Sequence, residues 1–323
     1  LGDVYKRQDI FERKVTDILI PGGKDYPALI GDDNLPFENA GVLKTTGFEL
    51  QAKWSDKLSN GFAYSVGVAL SDDKAEVLSY PSNPTNKIGD GVLYKGYTVG
   101  DIWGYETGGI LQESDFDGVG PNGKPLYHGA YFKGGQPYPG YVWYQDLDHD
   151  GVITSGLSTV DDPGDKKVIG NNAPRYRYNI TANFQYKGFD LDLMFQGVGK
   201  RDYWLKDVSS YWGGGAGSWE TYNQSWTPER TDAKFPMYGS GIGSYAQSGY
   251  LLDASYIKLK QVILGYTFPK ALIGKVGLKK LRLNIAAYNL FTLSDVPKYY
   301  DSDYLSDAYP PKRTFSVGIQ VGF

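Results

Sequence analysis

The stretch best equipped for chemistry is Asp146-Leu-Asp148-His-Asp150-Gly151-Val152-Ile-Thr154. Carboxylates at the first, third and fifth positions, then Gly at the sixth, make the first half of an EF-hand-type calcium loop. Odd-spaced oxygens turn inward around a hard cation, and Gly permits the sharp bend. Val152 would add its backbone carbonyl and Thr154 the ninth-position oxygen. The motif then needs a bidentate Glu, but Leu157 stands there; Asp161 or Asp162 would fill the role after a longer loop. The chemistry expected is a structural Ca2+ that stiffens residues 146–154. The competing reading is an acidic surface turn.

A second constellation is aromatic. Tyr203, Trp204, Tyr211, Trp212, Trp219, Tyr222 and Trp226 crowd one Gly-rich stretch, and Tyr131, Tyr138, Tyr141, Trp143 and Tyr144 another. Aromatic faces stack on sugar rings and form general recognition surfaces. They serve equally to pack a loop against itself or a partner. Tyr203, Trp204, Trp212, Trp219, Tyr222 and Trp226 are the candidates for substrate or partner contact. No catalytic set accompanies them. His128 and His149 are the only histidines, and neither adjoins a Ser nucleophile motif. An enzyme is therefore not expected.

Composition points to the elements that must hold these residues. The 323 residues include 28 Tyr, 14 Phe, 7 Trp and 42 Gly, but 2 Met and no Cys. That profile is all-β, without disulfides or thiolate metal sites. A net charge of −4 and the lack of a basic stripe argue against nucleic acid. No apolar run is long enough for a transmembrane helix.

Alternation with period two dominates. Tyr176, Tyr178, Ile180, Ala182, Phe184 and Tyr186 share one face; Arg175, Arg177, Asn179, Thr181, Asn183 and Gln185 share the other. Lys187-Gly188 then turns the chain into Phe189–Gln196 as a hairpin. Further strands are predicted over 48–54, 62–70, 255–268, 281–287 and 315–323, with a weaker one over Asp9–Ile20. The apolar phase slips near Gln261, which predicts a β-bulge. Short connections at 55–61, 187–188 and 269–280 alternate with long ones at 71–174, 199–254 and 294–312. Short turns on one side and long loops on the other characterise outer-membrane barrels. A soluble sandwich shows similar alternation. It requires Tyr178, Ile180, Phe184, Leu191 and Leu193 to be buried under a second sheet, whereas a barrel leaves them on an apolar band. Arg175, Arg177, Lys258, Lys260 and Arg282 fall on the polar face and are expected to pair inside the barrel.

Several stretches resemble the C-terminal part of SusC/RagA-type TonB-dependent outer-membrane transporters. They are Gly170–Asn179, Gly188–Gly197, Asp253–Pro269, Leu281–Phe291 and Gly96–Ile110. The resemblance implies the last seven to eight strands of an antiparallel, plugged barrel of about 22 strands. It covers residues 9–323. Residues 1–8 do not fit the pattern and are expected to be a non-native or mis-assembled leader. Signal peptide, plug and TonB-contact segment would lie outside this chain.

By that resemblance the parent protein is an active importer in the outer membrane of a Gram-negative cell. It would take up an oligosaccharide or peptide. The TonB–ExbB–ExbD machinery would energise it, and a SusD-like surface lipoprotein would cover its loops. Membrane lipid would surround the wall. Phe315, Val317, Ile319, Val321 and Phe323 would carry the signal read by the barrel-assembly machinery. The rival readings are a soluble calcium-dependent carbohydrate-binding sandwich and a passive porin or adhesin barrel.

Overall fold

A computed structural model of the chain describes residues 2–22, 36–204, 222–240, 245–296, 300–305 and 311–323. Its frame is one sheet of eight strands: β1 (Asp3–Pro21), β2 (Phe37–Lys57), β3 (Ala63–Ser79), β4 (Arg175–Tyr186), β5 (Phe189–Lys200), β6 (Tyr256–Thr267), β7 (Lys280–Ser294) and β8 (Thr314–Gly322). Sheet order equals chain order, and every neighbouring pair is antiparallel. No helix among the described residues is long and apolar enough to cross a membrane, which leaves crossing by strands open.

Register explains the two faces. One row of cross-strand partners runs Tyr64, Phe184, Leu191, Leu264, Ile285, Val317 from β3 to β8. The adjacent row runs Ser65, Asn183, Asp192, Ile263, Ala286, Ser316. Because side chains alternate, the first row builds an apolar outer face and the second a largely polar inner one. No second sheet covers the outer face among the described residues. Ile285 is 56% and Val317 76% exposed. Tyr178, Ile180, Phe184, Leu191 and Leu193 are only half-buried, by neighbours in their own sheet. The sandwich reading fails here.

The inner face is held by polar contacts. Ser65 Oγ donates to Asn183 Oδ1 at 3.0 Å, and Asn183 Nδ2 donates to Asp192 Oδ1 at 2.6 Å. Arg282 on β7 pairs with Asp190 on β5, across the intervening β6. Gly265 sits beneath them, and a Cβ there would collide with both side chains. All five expected inner-face cations are paired: Arg175 with Asp72, Arg177 with Asp73, Lys258 with Asp301 and Asp303, Lys260 with Asp303, and Arg282 with Asp190.

Turns fall where the residues allow. Lys187 and Gly188 both take positive φ (47° and 90°), which matches the twist of a two-residue hairpin. The phase slip is a bulge at Lys260, opposite Asn289 and Leu290. At the short-turn end aromatic rings meet: Phe62 with Phe184 at 6.2 Å and Phe189 with Tyr266 at 4.4 Å. This is the girdle expected where a barrel leaves the hydrocarbon.

The weakly signalled first strand is a full element. β1 pairs with β2 from Asp3 to Pro21, including Asp3–Gln8, the stretch set aside from the sequence. β1–β3 run 17–21 residues. At about 3.3 Å per residue this far exceeds the roughly 25 Å apolar band, so their ends stand outside the membrane.

Candidate functional site

The described parts of the three long connections, 80–174, 201–255 and 295–313, follow strand ends on the same side of the sheet. The first is a compact unit of small ladders. Asp101–Tyr105 pairs with Lys166–Asn171, Thr107–Ile110 with Val142–Tyr144, and Phe116–Val119 with Pro125–Tyr127. Tyr105, Val142, Tyr144 and Ile153 form its buried core. The second connection plugs into it. Gln247 is fully buried, donates to Tyr144 Oη at 3.2 Å and accepts from Thr107 Oγ1. Asp202–Trp204 pairs with Leu251–Asp253 at its base.

The third connection is clamped over the inner face. Lys258 Nζ, 2% exposed, lies 3.0 Å from Asp301 Oδ2 and 2.8 Å from Asp303 Oδ2. Lys260 Nζ reaches the same Asp303 oxygen at 3.1 Å. Tyr256 Oη donates to Asp303, and Tyr203 Oη donates to the Leu305 carbonyl at 2.6 Å. Burial raises the Asp303 pKa, but donation from Lys258 and Tyr256 outweighs it and holds the carboxyl below its ordinary 3.8. Sequence reasoning placed Lys258 and Lys260 correctly and missed their acidic partners. An Asp in a long loop carries no positional signal.

The acidic turn is ordered by its own backbone. Asp146 accepts from His149 N at 2.7 Å and Gly151 N at 2.9 Å. Gly151 has φ 85°, as the tight turn requires. One oxygen each of Asp146, Asp148 and Asp165 lies within 4.8 Å of the others. Desolvation, then the negative charges of Asp165, Asp150 and Asp146, push Asp148 up. Asp146 is lowered: desolvation opposes ionisation, but the amides of Gly151, His149 and Asp150 prevail.

The EF-hand template does not describe this arrangement. Asp150 stays outside the group and accepts from Val152 N at 2.8 Å. Val152 belongs to a two-residue strand beside Tyr131, and Thr154 gives its N–H to Asp165. Asp162 caps Leu157, and Asp161 is exposed. Asp165 supplies the third carboxylate instead. It is fully buried and accepts from Leu147 N at 2.8 Å and Thr154 N at 2.7 Å. The donor set is all hard oxygen, which suits Ca2+ rather than a softer metal.

The aromatic candidates divide. Trp212 and Trp219 lie outside the described residues. Trp226 is buried, lies against Gly140 and donates to Gln112 Oε1 at 3.0 Å, so it packs one loop on another. Tyr222 is half-exposed and meets Tyr238 edge-on at 6.2 Å. Tyr203 and Trp204 line a cleft of about 670 Å³ with Asp90, Asp101, Trp103 and Asn172. Trp103, Asp101 and Asn172 lie within the resembling stretches Gly96–Ile110 and Gly170–Asn179 but were not singled out, because sequence spacing does not show that residues about 70 apart meet at one cleft.

No family model matches the chain. It is similar to TonB-dependent receptor P3 of Formosa agariphila, 26% identical over 98% of this chain and 32% of the relative. TonB-dependent receptor P26 of the same organism is 24% identical over 100% and 33%. The chain thus spans about a third of the length of the curated relatives it matches. Among solved structures it superposes on the RagAB peptide transporter with a TM-score of 0.69, at 20% identity, covering 99% of this chain and 33% of that one. The RagAB peptide importer in its open-open state also gives 0.69. The resemblance read in the sequence is borne out, and the fold is the wall of an outer-membrane β-barrel. The relatives are receptors and transporters, not enzymes.

Proposed function

We propose that this chain forms the wall and outer loops of an active importer that takes up an oligosaccharide or peptide. One observation carries the reading. Eight antiparallel strands present an apolar face outward and paired charges inward, while the described parts of three long connections are joined to one another. A passive pore has no need for loops joined in this way; a receptor that selects its cargo does. The apolar face contacts membrane lipid, and the barrel-assembly machinery reads Phe315, Val317, Ile319, Val321 and Phe323 on β8. A SusD-like surface lipoprotein covers the loops, and TonB–ExbB–ExbD supplies the energy. The similarity to TonB-dependent receptors and to RagAB supports both parts of the reading.

Uptake of labelled oligosaccharide and peptide mixtures should stop when the gene for the full receptor, or tonB, is deleted. Uptake that survives loss of tonB would make the barrel a passive pore. A surface lipoprotein should co-purify with the full receptor in mild detergent.

We also propose that Asp146, Asp148 and Asp165 hold a structural Ca2+. The supporting observation is the buried Asp165 carboxylate brought beside two loop carboxylates, with one oxygen of each of the three within 4.8 Å of the others. Calcium titration should show saturable binding that Asp148→Ala removes. Unchanged affinity in that variant would refute the site.

A further inference from the structure

Arg201 follows the last residue of β5 and opens the second connection. Its side chain reaches the other two. Nε donates to the Asn172 carbonyl of the first connection at 3.0 Å, and Nη1 donates to the Asp303 carbonyl of the third at 3.4 Å. Its own carbonyl accepts from Ala254 N at 2.7 Å, near the far end of the second connection. One guanidinium thus stands where all three connections meet.

Its charge is not answered there. A guanidinium has five N–H donors. Two of them are used, both on backbone carbonyls, and one of those bonds is long. No carboxylate pairs with Arg201 among the described residues. Asp303 gives its carboxylate to Lys258, Lys260 and Tyr256 instead. Burial disfavours the Arg201 charge more than Tyr256, Tyr203 and Asp303 support it, so its pKa is lowered. In this it differs from Arg175, Arg177, Lys258, Lys260 and Arg282, which all have acidic partners. A half-buried charge ordinarily has one too.

Arg201 lines a cavity of about 580 Å³ with the inner-face residues Arg177, Asn179 and Gln196. The acids Asp9 and Glu49 line it as well, but from β1 and β2. β2 lies three strand steps from β5, roughly 14 Å at about 4.8 Å per step. The missing carboxylate therefore enters from the open side of the cavity. Size and sign say what carries it. The chain spans about a third of the length of its relatives. A face built of paired charges is not left against lipid, so the remaining polypeptide has to enclose it. A free anion would be opposed by Asp303 and Glu49, whereas a folded segment places one carboxylate at Arg201 and holds it there. Cargo comes and goes, and would leave the charge unanswered between transport cycles.

We propose that a carboxylate from the remainder of the receptor polypeptide pairs with Arg201 from the lumen side, on the Nη edge that the two carbonyls leave open. The pair ties the enclosed part of the receptor to all three connections at one point, so a shift of that part is felt by the loop face. The proposal rests on reading this chain as the wall of a longer receptor.

The test uses Arg201→Lys in the purified full receptor, with no cargo added. The introduced amine keeps the charge and, unlike a guanidinium, couples to a touching carboxylate under a water-soluble carbodiimide. The reagent activates the carboxylate as an O-acylisourea. The amine then attacks the acyl carbon, an amide bond forms, and the reagent leaves as its urea. Lys44 and Glu12, partly exposed and 2.8 Å apart, should couple in every sample and control for the reagent. Digestion and tandem mass spectrometry should find the introduced amine joined to an Asp or Glu outside these 323 residues, a product that the unsubstituted receptor lacks. Coupling only within this chain, coupling to a separate protein, or no coupling while Lys44 and Glu12 react would overturn the proposal. Charge reversal separates an ion pair from mere proximity. Arg201→Glu should speed proteinase K nicking of the long connections by about tenfold, and adding an Arg at the mapped acid should return the rate to near that of the unsubstituted receptor. A combined variant that does not recover would overturn the pair. The import reading fails separately: uptake that survives loss of tonB would end it and leave the mapped cross-link as it stands.

Discussion

Replacing Lys258 by Met should release the third connection from the inner face. The side chain is 2% exposed and holds Asp301 and Asp303 at 3.0 and 2.8 Å. At about 3 Å and an effective dielectric near 20, each pair is worth roughly 5 kcal/mol before desolvation. Desolvation offsets most of that while the network is intact. Once the lysine is gone the offset is lost with it. Asp303 keeps Lys260 at 3.1 Å, but Asp301 keeps no cation among the described residues. Stranding this largely covered carboxylate costs up to about 3–5 kcal/mol, the figure for a fully buried one. At about 1.4 kcal/mol per tenfold, the detached population rises by up to roughly a hundredfold. The readout is available because this chain has no Cys. A single Cys at Ser302, a residue 4% exposed, should be protected from maleimide in an otherwise Cys-free receptor and labelled fast in the Lys258→Met background. Adding Asp301→Asn and Asp303→Asn to Lys258→Met removes the stranded charge and should restore most of the protection. If Lys258→Met leaves labelling unchanged, the charge network is not the anchor. The Tyr203–Leu305 bond and the Ala254, Val296, Leu305 cluster would then hold the segment alone.

The same clamp predicts an acid response. Asp303 is held below 3.8 when folded, so its contribution is fully present above that value and is lost as pH falls through the lower folded value. Pepsin cleavage near residues 300–305 should stay slow down to pH about 4 and accelerate below it; acceleration already near pH 5 would refute the assignment. On β8, Val317→Arg should destabilise the barrel by about 2–4 kcal/mol if the residue lies near the membrane midplane, whereas Gln320→Arg on the inner face should cost far less; urea unfolding in bilayers reads both, and equal costs would undo the assignment of faces. Gly265→Val should break the Arg282–Asp190 bridge by crowding it, at about 1–3 kcal/mol on the same assay, and Gly265→Val with no loss would show the bridge to be dispensable.

How much was legible follows from where water is. β4 and β5 were read correctly because one face meets lipid and the other meets paired polar groups, so alternation is enforced residue by residue. β1 was weak for the opposite reason. Its outward row runs Val4, Lys6, Gln8, Ile10, Glu12, Lys14, and Glu12 pairs with Lys44 at 2.8 Å. Beyond the membrane edge neither face needs to be apolar, so the period fades although the backbone ladder continues. The five inner-face cations were legible as a class because only pairing makes such charges tolerable there. Asp165 was not legible: a motif counted along one loop cannot see a carboxylate delivered by the chain's return, 19 residues after Asp146. The aromatic clusters were seen but not sorted, since composition alone does not separate Trp226, spent on Gly140 and Gln112, from Trp204, whose face lines the cleft.

The loop face shows why that sorting matters for function. A binding surface made of long connections would ordinarily pay ordering entropy whenever cargo arrives. Here the ordering is done in advance by contacts that have no ligand role: the Gln247 bonds to Tyr144 and Thr107, the Asp202–Trp204 ladder, and the Lys258 clamp. Each joins segments far apart in sequence, so each fixes a whole connection rather than one side chain. The cleft residues can then be exposed and few. It follows that loosening a buried anchor should weaken cargo binding without touching the cleft. Gln247→Ala leaves Trp204, Trp103 and Asp101 in place but removes the side-chain bonds of Gln247 to the Tyr144 hydroxyl and to Thr107 Oγ1 in the loop core. Two lost bonds at about 1 kcal/mol each should lower affinity for cargo by roughly tenfold or more, through a faster off-rate or a larger entropic penalty. An unchanged affinity with a demonstrably loosened loop core would mean that the cleft is assembled by its own ladders alone.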